Sequence, residues 1–255
     1  MPPRMSPGPI RVGVGGWTYE PWRGAFYPEK WPQAKELDYA GRHLTAIEIN
    51  GTFYGRQKPA SFVKWREAVP DGFVFAVKAS RYAVNRKVLA EAGESVANFV
   101  GQGITELGPK LGPILWQFAA TKRFDAEDMA AFLALLPAEH DGVKLRHALE
   151  PRHESFADPA FFAMCRKAGV AVVYAEAAAY PTFAEQTADF TYARIQTADE
   201  ALPQGYSAAE LDRLAKQARD WAKGGREVFL FFIAGAKVRN PAAAQALIEQ
   251  LGAAA

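Results

Sequence analysis

At 255 residues, with 49% hydrophobic and 23% charged side chains, the chain can bury one large core and is too apolar to stay disordered. Its 30 basic and 28 acidic residues leave a net charge of +2, spread without any Lys/Arg tract, so nucleic-acid and membrane-surface binding are disfavoured. Cys165 is the only cysteine, which excludes an intramolecular disulfide and a thiolate-cluster zinc site.

Residues 1–9 hold four prolines and no apolar run, and are expected to be a flexible lead-in rather than a signal peptide. From there, short apolar runs rich in Val, Ile, Phe and Tyr recur at 10–15, 46–50, 73–78, 114–117, 144–150, 170–176, 189–195 and 228–233. Each has the length and composition of a buried strand. The first leads into Gly13-Val-Gly15-Gly16-Trp17-Thr18, which lacks the third glycine of a dinucleotide-binding turn.

Amphipathic segments with helix-end signals lie between the strands. Asp125 is placed to cap a helix carrying Met129, Phe132, Leu133 and Leu136. Asp158-Pro159 and Asn240-Pro241 each set a capping side chain before proline at the first helical position. Ser207-Ala-Ala-Glu210 has the spacing of a capping box, and Leu211, Leu214, Ala215, Ala218 and Trp221 follow on one face. Cys165, in Phe161-Phe162-Ala163-Met164-Cys165, reads as core, as do Trp31, Trp65, Trp116 and Trp221. The longest apolar run, 228–236, is far short of the roughly 20 residues a membrane helix needs, and a cytoplasmic location is expected.

Strands alternating with helices require parallel pairing through crossovers. Eight such units over this length predict a single eight-stranded (β/α)8 barrel of TIM type, spanning 10–251 with a short tail at 252–255. In such a barrel the chemistry sits at the C-terminal ends of the strands, and here those ends are polar. They carry Glu48 and Asn50, Lys78 with Arg81 just beyond, Gln117, Glu150 followed by Arg152 and His153, Glu176, and Arg194 with Gln196. A charge among apolar neighbours must be paired, ligand-bound or exposed, because desolvating it alone costs several kcal/mol.

Several motifs resemble those of the YecE-like family of uncharacterised proteins (domain of unknown function 72). They are Gly16-Trp17-Thr18-Tyr19 with Trp22-Arg23-Gly24 and Phe26-Tyr27-Pro28, and Ile47-Glu48-Ile49-Asn50-Gly51-Thr52-Phe53-Tyr54. Further ones are Phe75-Ala76-Val77-Lys78-Ala79-Ser80-Arg81-Tyr82, Leu111-Gly112-Pro113-Ile114-Leu115-Trp116-Gln117, Glu150-Pro151-Arg152-His153, and the stretch from Thr187 through Asp189 to Arg194. The resemblance implies a TIM-type barrel and no particular reaction. The chain departs from the family pattern at Val84-Asn85, Glu176-Ala177, Ile195-Gln196-Thr197 and Phe232-Ile233-Ala234-Gly235, where the family carries Thr-His, Asp-Ser, Leu-His-Gly and an Asn/Asp-rich stretch. The first half of the pocket is thus expected to be kept and the second half altered.

Three kinds of chemistry fit these residues. Glu48 and Glu150 could act as a carboxylate pair across the mouth, or be fixed ion-pair partners, Glu48 of Lys78 and Glu150 of Arg152 or Arg194. Lys78 could form a Schiff base if Arg81 and Arg152 lower its pKa, or clamp an anion. Glu48, Glu150, Glu176 and His153 could hold a divalent metal as in a sugar isomerase, although no cofactor is expected. His43 and His147 read as a helix-end and a packed residue. Trp17, Tyr19 and Tyr54 follow strand ends and could stack on a ligand or form part of an apolar lid. The leading expectation is a barrel that binds or acts on a small anionic carbohydrate- or nucleotide-like molecule. Lys78, Arg81, Arg152 and Arg194 would recognise charge, with Asn50 and Gln117 as further contacts and Glu48 or Glu150 moving protons. A non-catalytic binding barrel and a nucleic-acid-processing enzyme are the alternatives.

Overall fold

The computed structural model describes residues 6–252. Its parallel strands are β1 (Ile10–Gly15), β2 (Ala46–Ile49), β3 (Val74–Lys78), β4 (Leu111–Gln117) and β5 (His147–Glu150), then β6, β7 (Phe190–Ile195) and β8 (Glu227–Phe232). β6 comes in two pieces, Ala171–Val172 and Tyr174–Glu176, so the sheet counts nine segments where eight were expected. The two pieces lie at opposite ends of the sheet order. Ala171–Val172 pairs with β5 and Tyr174–Glu176 with β7, while the Val173 N–H between them donates to the Leu149 carbonyl at 2.9 Å. The ring therefore closes through one bent strand. β5 is shorter than expected, because Lys144 belongs to a two-residue hairpin in which Glu139–His140 pairs with Val143–Lys144.

Among the described residues seven helices of eight residues or more surround the strands: α1 (Glu36–His43), α2 (Pro59–Glu67), α3 (Gly93–Val100), α4 (Ala126–Leu135), α5 (Pro159–Ala168), α6 (Ala208–Trp221) and α7 (Asn240–Gly252). No helix forms between β6 and β7. Asp125 and Asp158 accept from the backbone N–H groups of Asp128 and Ala160, and Ser207 and Glu210 form the full capping box. Asn240 does not cap. Its side-chain amide is exchanged with the backbone of Ala234, whose N–H it meets at 3.3 Å and whose carbonyl it meets at 3.4 Å, so it fastens α7 to the end of β8. Among the described residues no helix is long and apolar enough to cross a membrane. Residues 1–5 of the expected lead-in and 253–255 of the expected tail lie outside the described residues. The Gly8 N–H donates to the Ala222 carbonyl, and the Pro9 carbonyl accepts from the Val228 N–H.

Alternation along each strand separates two cores. One face packs on the helices and includes Val12, Val14, Ile47, Ile49, Trp116 and the buried Cys165. The other fills the barrel with Ala46, Val74, Ala76, Leu115, Ala148 and Val173 facing Phe190, Tyr192, Phe229 and Phe231. Small side chains from β2, β3 and β5 thus accommodate aromatic rings from β7 and β8. At β1 the interior position is Gly13, where a Cβ would lie 1.8 Å from the Ala46 carbonyl oxygen. The N-terminal end is closed by Arg11 and Arg146, which both reach Glu227, at 3.4 and 2.6 Å.

Candidate functional site

The interior face of the strands runs on into charge. Glu48, Lys78, Gln117, Glu150 and Arg194 each stand two residues beyond Ala46, Ala76, Leu115, Ala148 and Tyr192, hence on the same face at the C-terminal end. Arg194 crosses the mouth. Its Nε and Nη2 donate to the two oxygens of Glu48 at 3.0 and 3.1 Å, and its Nη1 donates to Glu150 at 2.6 Å. The Tyr192 hydroxyl adds a bond to Glu48 at 2.7 Å. Gln117, in register with Glu150, donates to both its oxygens at 3.0 and 3.1 Å, and Arg152 Nε donates to one of them at 2.7 Å. Glu48, Glu150 and Arg194 are all buried.

These contacts bear on the expected roles. Burial opposes the charge on Glu150, but Arg194, Arg152 and Gln117 outweigh it and hold its pKa below the usual carboxylate range. The same two carboxylates raise Arg194 against its own burial. A glycosidase acid needs the opposite, a carboxyl kept protonated by a raised pKa. Both glutamates form ion pairs with Arg194, which differs from the expected pairing in one respect. Glu48 pairs with Arg194 and Tyr192 rather than with Lys78.

Lys78 is left over. It is half-buried, and its Nζ lies 4.4 Å from the centroid of the Phe53 ring. Among the described residues it forms no ion pair. Burial, then the charge of Arg194, lower its pKa to about 8, with Arg152 adding to the effect and Glu48 and Glu150 opposing it.

Other expected site residues stand apart. Arg81 is exposed and donates to the neighbouring Tyr82 hydroxyl at 3.3 Å, so it is not part of this cluster. Trp17 packs edge-on against Trp65 and Phe75, at 5.3 and 6.5 Å. Tyr19 lies against Trp22, with Lys237 over its ring. Tyr54 is 66% exposed on the rim. Asn50 is half-buried and donates to the Glu48 carbonyl at 3.3 Å. Glu176 is taken by Arg213 at 2.7 Å, and His153 Nδ1 meets the Ser155 hydroxyl at 2.9 Å, so neither joins a carboxylate metal site. No three His, Cys, Asp or Glu side chains among the described residues are grouped to hold a metal ion.

His147 and His43 behave as packed residues. His147 accepts from Trp116 Nε1 at 3.1 Å and faces the Pro137 carbonyl at 2.8 Å, and burial lowers its pKa. His43 stacks on Tyr39 at the end of α1. Two site residues escaped the sequence reading. Tyr192 was legible as the interior neighbour of Arg194, two residues before it. Tyr180, whose ring lies 4.3 Å from the Arg152 guanidinium, sits in an irregular loop that no periodicity marks.

Strands, layers and mouth define a (β/α)8 barrel braced at its C-terminal end by a buried carboxylate–guanidinium network. The chain belongs to the family described as "Protein of unknown function DUF72", whose model matches residues 11–255. It is 28% identical over 142 residues to the UPF0759 protein YecE of Escherichia coli K12, covering 54% of this chain and 48% of that one. The chain thus spans about half the length of this curated relative. The fold matches that of a DUF72 family protein from Thermotoga maritima, with a TM-score of 0.75, 24% identity, and 96% and 98% of the two chains covered. A DUF72 family protein from Enterococcus faecalis matches with a TM-score of 0.69, 19% identity and the same coverage.

Proposed function

We propose that the barrel mouth binds a small anionic molecule of carbohydrate or nucleotide type, held by Lys78 and Arg152. The observation that carries this reading is an imbalance of charge. Lys78, Arg152 and Arg194 share a partly desolvated mouth with two carboxylates, and Arg194 already engages both. Among the described residues Lys78 forms no ion pair, and the charges of Arg194 and Arg152 bear on its ammonium. Arg152 spends only Nε on Glu150, leaving the outer edge of its guanidinium for a second acceptor. A phosphate or carboxylate seated between them would relieve the repulsion and take parallel hydrogen bonds from the arginine. Exposed Tyr54 on the rim offers a ring face to a sugar or base.

Calorimetric titration with inorganic phosphate, sulfate and glucose 6-phosphate tests this on wild type, Lys78→Met and Arg152→Ala. Each charged hydrogen bond lost should cost about 1.5–3 kcal/mol, so each substitution should weaken binding by roughly tenfold or more. Thermal melting of the variants separates lost binding from lost structure. Absence of binding by the wild type, or binding that neither substitution alters, overturns the proposal.

A further inference from the structure

The geometry points to Lys78 as a nucleophilic amine that condenses with an aldehyde or ketone carried by the anionic ligand, forming an imine. This rests on the reading of the mouth as an anion site and names the substrate class, a small oxo-acid or sugar phosphate with a free carbonyl.

Lys78 ends β3 on the interior face, and its backbone is fixed by the Thr52 hydroxyl, which donates to its carbonyl at 2.7 Å. The side chain is half-buried and its head lies over Phe53, near enough to Glu48, Glu150 and Arg194 to feel their charges. Two other shielded lysines have acceptors for their ammonium groups. Lys110 spends its ammonium on the carbonyls of Arg66 and Val69 at 2.9 and 2.6 Å, and Lys122 is held by Asp128. Lys78 has no such acceptor among the described residues.

Burial is the largest influence favouring the neutral amine, followed by the charge of Arg194, and Glu48 and Glu150 oppose both. Arg194 on β7 and Arg152 beyond β5 repel a proton on Nζ, while Glu48 on β2 and Glu150 on β5, the groups that would attract it, have their oxygens engaged by arginine, tyrosine and glutamine donors. With a pKa of about 8, roughly a tenth of Lys78 is unprotonated at pH 7, several hundred times more than for an ordinary lysine.

The step balances without a co-reactant. The Nζ lone pair attacks the carbonyl carbon, a C–N bond forms, and the carbonyl π pair moves to oxygen. The two protons that nitrogen gives up end on that oxygen, which leaves as water. An ammonium and a carbonyl become an iminium and water, and the positive charge stays where Lys78 carried it.

Reductive trapping tests the inference. The full chain is incubated with dihydroxyacetone phosphate, pyruvate or uncharged dihydroxyacetone, with and without sodium borohydride, and peptides are mapped by mass spectrometry. The expected result is a borohydride-dependent adduct at Lys78 from the charged probes, at least tenfold above the mean exposed lysine and absent in Lys78→Met. Its yield should rise from pH 6 to level off above about 8. Phosphate binding by the wild type, read by the calorimetric titration, is the control that separates the imine from the anion site. Labelling spread evenly over surface lysines, or none at Lys78 while phosphate still binds, overturns the imine and leaves the anion site standing. Equal labelling by dihydroxyacetone and its phosphate keeps the imine and overturns the anion requirement.

Discussion

Lys78 and Arg194 face the same barrel mouth, yet burial acts on them in opposite directions. Arg194 meets two carboxylates in good geometry and is held charged, whereas Lys78 meets none and is pushed toward neutrality. The lysine therefore carries an energetic penalty that is readable as pH dependence. Its folded pKa of about 8 lies below the ordinary 10.5, so between those values the unfolded chain binds more protons than the native one. Stability must then rise with pH across that window, with the penalty full below about 8 and gone above about 10.5. Lys78→Met, which keeps the stem and deletes the charge, should stabilise the protein at pH 7 by on the order of 2 kcal/mol. The gain should shrink toward zero by pH 10. Urea unfolding of both proteins in phosphate-free buffer at pH 7 and pH 10 measures it, and a variant less stable at pH 7 would mean that Lys78 is held by a favourable contact.

Elements obey simpler rules, and much of the fold was legible at this scale. Runs of Val, Ile and Phe marked the barrel strands because parallel strands buried on both faces need apolar residues throughout. Helix ends were legible wherever the signal was local. Ser207 and Glu210 lie three residues apart and find each other whatever the rest of the chain does. Ser207→Ala should therefore cost about 1 kcal/mol, read as a lower urea midpoint with unchanged slope. Asn240 carried the same local signal and was misread, because its side chain turned to Ala234 at the end of β8. The break in β6 was hidden for a related reason. Residues 170–176 are uniformly apolar until Tyr174, and only the need to pair with β5 on one side and β7 on the other bends them at Val173.

At the scale of the whole molecule, strand parity located the mouth, but closure of the ring chose the partners. Which glutamate Arg194 reaches depends on distances across the barrel between β2, β5 and β7, and no spacing along the chain encodes those. The same closure gives the barrel two charged ends of unequal cost. At the N-terminal end Glu227 is 23% exposed and is met by Arg11 and Arg146, whose guanidinium also lies 4.8 Å from the Phe229 ring. Water can solvate these groups if the pairing is lost, so Glu227→Gln should cost about 1 kcal/mol or less. At the C-terminal end Arg194→Met would leave Glu48 and Glu150 buried without their shared counter-ion. The neighbouring Gln117, Arg152 and Tyr192 reduce that cost without removing it, and a loss of about 3–5 kcal/mol is expected. Part of it should be regained at low pH, where the stranded carboxylates can take up protons. Parallel urea titrations at pH 5 and pH 7.5 compare the two variants. Equal losses at both ends, or an Arg194→Met deficit indifferent to pH, would show that burial of the two glutamates is not what makes the mouth depend on its arginine.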